Sequence, residues 1–357
     1  MAEPGITTDD SPSVPETFGY RLKSILLGPP LVNEQLATEK LNKAVALGVL
    51  SPDCISSSAY GTEEMLNQLV PYIGLAAFSL VIPITVVILI ILLLVTLSYR
   101  EVVMFYTKAG GSYVVARDNF GPAVAQVAAV ALLIDYTVTV AVQTSAGTDA
   151  LASAFPVLNN TAVIVAITVG IVLLMLYGNL RGIREAGRAF AFPTYFYIVS
   201  VGLVVVGGIL KEVFVGLPVY NDHARGAYHL GHPGGGLLMG ASVFVALKSF
   251  ANGGSSLTGL EAISNGVSAF RPPEGRNARR TLVIMSTTLG SLVLGVTLLA
   301  HWTHAVPYVN GYPTVLSQEV RAVFGYGTGG NVGFYVVQFA TLMILWTGGN
   351  TSFNGFP

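Results

Sequence analysis

Three carboxylates stand in stretches of this sequence that are otherwise apolar: Asp53, Asp135 and Glu261. Each has oxygen-bearing neighbours at helical spacing. With the chain helical after Pro52, Asp53, Ser56, Ser57 and Tyr60 fall at i, i+3, i+4 and i+7, on one face. Asp135, Thr139 and Gln143 form a second stripe at i, i+4 and i+8, and Thr258 lies one turn ahead of Glu261. Carboxylates, hydroxyls and freed backbone carbonyls are hard oxygen donors, the ligand type of hard cations. Each side chain taken singly also reads as a structural residue bonded to a neighbouring helix. An ionisable group within a membrane is a functional hypothesis by default, and three of them strengthen it.

The elements that carry these residues are membrane helices. Hydrophobic residues make up 52% of the 357-residue chain and charged residues 10%, against about 25% charged in soluble domains. Runs of roughly 20 apolar residues can cross a bilayer as helices. Eight such spans are expected: Ala44–Val70, Leu75–Leu97, Ala123–Ala146, Thr161–Tyr177, Ala189–Leu210, Leu237–Val267, Leu282–Ala300 and Val332–Thr347. Some forty polar residues precede the first, so it is no signal peptide. Residues 1–40 read as a cytosolic N-terminal tail, and 41–357 as the transmembrane domain. Fourteen of the eighteen Lys and Arg fall on the side of the N-terminus when loops alternate, which puts that terminus in the cytosol. Among them are Arg21, Lys23, Lys108, Arg181 and Arg184; Arg225 falls on the other side.

Two spans are interrupted. "LGVLSPDCISSSAYG" places Pro52 and three serines in the first, and "KSFANGGSSLTGLEAISN" places Gly253, Gly254, Ser255 and Ser256 in the sixth. Such clusters break helices, and bare backbone at membrane depth is tolerated where it lines a cavity. Kinked packing helices are the plainer reading. Five spans separate the two starts, so the second copy enters from the opposite face, as in an inverted-repeat transporter with its site at the breaks. An amino-acid substrate would need exposed N–H groups in a glycine-rich turn for its own carboxylate. The first break has no glycine between Gly48 and Gly61 and carries Asp53 instead. That composition favours a cation, while the Gly253–Gly254 turn keeps the amino acid open.

Lesser features have simpler readings. Lys248, a turn ahead of the second break, either pairs with a buried acid or snorkels to the interface. His223, His229 and His232 fit no zinc spacing. The run Arg271–Arg280 reads as an inner-face loop, with lipid-headgroup contact as the alternative. Cys54 is the sole cysteine and forms no intrachain disulfide. No basic stripe points to nucleic acid, and no cofactor or resident metal is implied. An intramembrane enzyme built on an Asp53–Asp135 dyad is the remote alternative, since no H-E-x-x-H, G-x-S-x-G or P-loop pattern occurs.

The segments "ALGVLSPDCISSSAYGTEEML", "LLIDYTVTVAVQTSAGTDALASAF", "SSLTGLEAISNGVSAFRPPEGRNARRTL" and "NTSFNGFP" resemble the amino acid–polyamine–organocation (APC) superfamily, and within it KUP-type potassium importers of the KimA kind. The resemblance runs from about Tyr20 to the C-terminus. It implies an all-α LeuT-type inverted-repeat bundle, with the first five-helix repeat complete and the second partial. It implies proton-coupled potassium uptake across the plasma membrane, with a proton-coupled amino acid permease as the alternative; the sequence leaves the oligomeric state open, a homodimer among the options. Cation ligation is implied for Asp53, Tyr60, Asp135, Thr139, Thr258 and Glu261; Ser56, Ser57 and Gln143 are secondary candidates. Gln143 stands where the relatives carry serine. Glu261 is the group expected to carry the coupling proton, being one turn beyond Thr258 and preceded by the apolar "LTGL"; Asp135 is its rival. Such proteins have twelve spans and a cytosolic C-terminal domain. The chain reads as a fragment ending in its eighth span, lacking a tyrosine expected on the tenth and not transporting alone.

Overall fold

The computed structural model describes residues 40–107, 110–180, 187–220 and 226–355. The N-terminal tail as far as 39, with Arg21 and Lys23, lies outside the described residues, as do Lys108, Arg181, Arg184, His223 and Arg225. Among the described residues the regular structure is helical: α1 Lys43–Leu50, α2 Pro52–Ser56, α3 Gly61–Ile73, α4 Ala77–Phe105, α5 Gly111–Phe120, α6 Pro122–Ala154, α7 Thr161–Leu180, α8 Gly187–Phe214, α9 Val243–Gly253, α10 Glu261–Asn265, α11 Glu274–Thr303, α12 Val315–Phe324 and α13 Thr328–Gly355.

Six helical runs among these residues are long and apolar enough to cross a membrane: Pro52–Phe105, Pro122–Ala154, Thr161–Leu180, Ala191–Phe214, Glu274–Thr303 and Thr328–Phe353. The first of them joins α2 and α3 to α4. The remaining pieces of the interrupted segments fall short, because α1, α9 and α10 have 8, 11 and 5 residues. Lipid is the natural neighbour of the outer helices. α7 has no buried residue, and Leu173 and Leu174 on it are 58% and 64% exposed. An apolar surface of that extent has no place in water.

Both interruptions differ in detail from the sequence reading. Pro52 opens a new helix rather than breaking one, since its missing N–H is harmless at the first helical position. The chain departs from α-geometry before it, at Ser51, and after it, in a 3₁₀ turn over Ser57–Ala59 that ends at Tyr60. In the second segment Gly253 and Gly254 keep right-handed helical angles. The departure comes later, at extended Thr258 (φ −69°, ψ 159°) and at Gly259 (φ +83°). Two short helices absent from the sequence reading, α5 and α12, flank α6 and α13.

Packing is pairwise. α4 lies along α11, α6 along α13, and the 3₁₀ turn of the first break against that of the second. α11 supplies the centre of the core through Leu282, Met285, Leu289, Val293 and Val296, all at most 2% exposed. Hydroxyls tie this helix to its neighbours: Thr297 bonds Thr62 at 3.0 Å and Thr85 at 3.3 Å, and Thr96 bonds Ser286 at 2.8 Å. At one end Leu41 exchanges backbone bonds with Ala269 and Arg271, and Lys40 pairs with Glu274. Lys43, Arg100 and Arg276 gather at this same end. Lys211, in the last turn of α8, donates instead to Ala322 O and Val323 O of α12.

Gly259 is where the two breaks meet. A Cβ there would lie 2.6 Å from Cys54 N and 2.9 Å from Asp53 Cγ, at a φ that side chains rarely adopt. Gly259→Ala should therefore lower the unfolding temperature, with a cost of about 1–3 kcal/mol from backbone strain alone and further loss from the clash. Thermal unfolding of the purified full chain measures it; an unchanged midpoint would mean that the breaks are not in contact.

Candidate cation site

The site grows from the carboxylate of Asp53. α2 is five residues long, so most of its carbonyls lack full helical partners, and serines at its C-terminal end and in the 3₁₀ turn that follows take up that of Asp53. Ser56 Oγ and Ser57 Oγ donate to Asp53 O at 2.9 and 3.2 Å. Ser57 Oγ also shares a hydrogen with Tyr60 Oη at 3.1 Å, so the stripe expected along one face closes into a network. Asp53 is 2% exposed, and Ser56 and Ser57 are fully buried.

Gln143 crosses from α6 to complete it. Its Nε2 donates to Asp53 Oδ1 and, at 3.3 Å, to Asp53 O, while its Oε1 accepts from Ser56 Oγ at 3.2 Å. A carboxylate only accepts, so this amide orientation follows from the chemistry. Gly348 of α13 lets the amide fit, because a Cβ at that position would clash with Gln143 Oε1. Gln143 thus holds Asp53 through its Nε2 and Ser56 through its Oε1.

The other acids converge on the same region. The charged groups that act on Asp53 are Glu261 and Asp135, both anionic when ionised. Asp135 is half-buried on α6, and Thr139, one turn on, is 7% exposed. Glu261 opens α10 with its Oε1 buried and unpartnered. α10 is docked onto α6 by Asn265 Nδ2 donating to Tyr136 Oη at 2.7 Å. Thr258, just ahead of Gly259, turns its Oγ1 onto Ser255 O at 2.9 Å. The two breaks and α6 therefore bring carboxylates, hydroxyls and carbonyls to one region, a donor set of the type that suits a hard cation. Lys248 is exposed and so is no internal counter-charge for them.

Four further acids escaped the sequence reading. Glu63, Glu64 and Asp149 line a cavity of about 60 Å³ directly beyond Tyr60. Glu63, 7% exposed, accepts from Val315 N at the start of α12 at 3.2 Å. Glu319, one turn along α12, is fully buried with neither carboxyl oxygen paired. Burial, with the Glu63 carboxyl beside it, holds Glu319 well above the usual carboxylate range. A signal did exist: Asn67 and the Glu63–Glu64 pair continue the face of Asp53, Ser56 and Tyr60 at steps of three and four. His229 and His232 are exposed, and the described residues hold no metal-type cluster.

Gln143→Leu keeps the bulk and removes both donors to Asp53. It should destabilise the full chain by roughly 2–3 kcal/mol, the worth of a hydrogen bond to a buried charged group. Gln143→Asn, which keeps an amide, should lose less. Equal unfolding midpoints for wild type and Gln143→Leu would show that the amide does not hold the carboxylate.

A family model described as amino acid permease matches residues 53–357. Over 338 residues the chain is 40% identical to the potassium transporter KimA of Bacillus subtilis (strain 168), which takes in 95% of this chain and 53% of that protein. The chain therefore spans about half the length of that relative.

Proposed function

We propose that this chain, which belongs to the amino acid permease family, forms the substrate-binding part of a secondary transporter that takes up potassium across the plasma membrane together with protons. The observation that carries this reading is Asp53: a buried carboxylate between two interrupted helices whose charged neighbours are two more acids. Burying an ionised carboxylate in low dielectric is expensive unless a cation is its partner. A desolvated potassium ion supplies that charge, and Tyr60, Thr139 and Thr258 add neutral oxygens. The likeness to a potassium transporter supports the choice of ion. An amino-acid substrate would bring its own carboxylate against Asp53, which opposes that reading. The family and the similar protein are transporters, which removes the aspartyl-dyad enzyme.

The packing pattern supports an inverted repeat within eight spans. Under that scheme spans one and six, two and seven, and three and eight are equivalent. Each of these pairs is in mutual contact: break on break, α4 on α11, α6 on α13. The gathering of Lys43, Arg100 and Arg276 at one end supports a cytosolic N-terminus. Glu261 is our choice for the coupling proton, because its unpartnered buried Oε1 requires either a proton or a cation. A homodimer is the assembly we expect.

In the full-length protein, Asp53→Asn and Asp135→Asn should each reduce potassium uptake by two orders of magnitude or more, roughly 3 kcal/mol of lost charge pairing. Thr139→Val should lose about tenfold, since it deletes one neutral oxygen. Glu261→Gln should abolish uptake driven by a pH gradient while potassium–rubidium exchange persists. Wild-type potassium affinity in both Asp variants would overturn the ion site, and amino-acid uptake by the parent would establish the other substrate class.

A further inference from the structure

At the end of the bundle that carries the basic residues, a cavity of about 760 Å³ opens between α1, α4, α8 and α11. Five cationic side chains from three helices line it: Lys43, Arg100, Arg276, Arg279 and Arg280. Among the described residues Glu101 is the acid paired with them, 3.3 Å from Arg100 and 3.8 Å from Arg279, which leaves an excess of four positive charges within that set. Apart from Tyr195 and Thr281 the rest of the lining is apolar, chiefly Leu47, Val283 and Ile284.

The order of these groups along α11 identifies the ligand. Arg276, Arg279, Arg280, Val283 and Ile284 occupy i, i+3, i+4, i+7 and i+8, one stripe that turns from cationic to apolar toward the interior of the bundle. Eight residues of helix cover about 12 Å, comparable to the depth between a headgroup and the upper acyl chains. Val283 and Ile284 remain 39% and 50% exposed directly beyond the guanidinium groups. Across the cavity Tyr195 donates its hydroxyl to Ala44 O at 2.7 Å and fixes α8 against α1. The general excess of basic residues on one membrane face requires only that charges lie near the interface. It does not require charges from three helices to converge on one concavity with an apolar floor. A soluble anion, in turn, has no use for that floor.

We propose that this cavity binds an anionic phospholipid of the adjoining leaflet. The headgroup phosphate meets Arg276, Arg279 and Arg280, where guanidinium forks match phosphate oxygens. An acyl chain lies along Val283 and Ile284. The inference is independent of what the permease transports.

The test uses the full-length protein in nanodiscs of phosphatidylcholine with phosphatidylglycerol titrated in, read by lipid retained in native mass spectrometry. The wild type should retain phosphatidylglycerol selectively. Replacing Arg276, Arg279 and Arg280 together by Gln should weaken that selectivity on the order of a hundredfold, as each basic side chain at an anionic lipid surface contributes about a factor of five. Ile284→Trp, which fills the floor and keeps every charge, should weaken it as well. Arg117→Gln, exposed and away from the cavity, should not. Equal retention of the two lipids by the wild type would overturn the proposal. So would undiminished retention by Ile284→Trp, or competition by glycerol 3-phosphate as strong as that of the lipid, which would assign the cavity to a soluble phosphate.

Discussion

Everything in this bundle is arranged around one constraint: a carboxylate, Asp53, is held out of water at the junction of two interrupted helices. A continuous helix would bond all its backbone groups internally and leave nothing for a substrate. Here α2 is only five residues long and bends away at Ser51 and again at Tyr60. The opposite segment reaches Asp53 with bare backbone, at Gly259, where a side chain would collide with Asp53 and Cys54. Close approach of the two breaks and burial of the carboxylate are thus the same fact seen from two sides.

The surrounding packing keeps that junction in register. Gln143 can hold Asp53 because α6 lies along α13 and Gly348 leaves room for the amide. α11 is fixed to α3 and α4 through Thr297, Thr62 and Thr85. α12 is tied to α3, beyond the first break, through Glu63 and Val315 N. The site and the cavity lined by Glu63, Glu64 and Asp149 share Tyr60, so acidic groups extend from the junction toward α12.

The sequence displays part of this plainly. Charge-free runs such as Leu75–Leu97 mark spans whatever their partners, and Asp53, Asp135 and Glu261 stand out against apolar neighbours. The break positions were less legible, because Gly253 and Gly254 are compatible with a helix and remain in one, while positive φ at Gly259 is imposed by tertiary contact with Asp53. Glu63, Glu64 and Asp149 lie near the ends of apolar runs, where an acid ordinarily faces water. The cavity they line is closed in part by Gly311 and Thr314 of a loop more than 150 residues away. Gln143 and Asp53 are 90 positions apart, and nothing in local spacing announces that one orients the other.

The central claim is that a monovalent cation occupies the junction of the two breaks with Asp53 as its principal charged partner. Anomalous diffraction from crystals of the full-length protein soaked in rubidium tests it most directly. The account predicts an anomalous peak in coordination contact with Asp53, in reach of Tyr60 and Thr139, that disappears in Asp53→Asn. A peak confined to the Glu63–Glu64–Asp149 cavity, or one at the junction that survives Asp53→Asn, would contradict it.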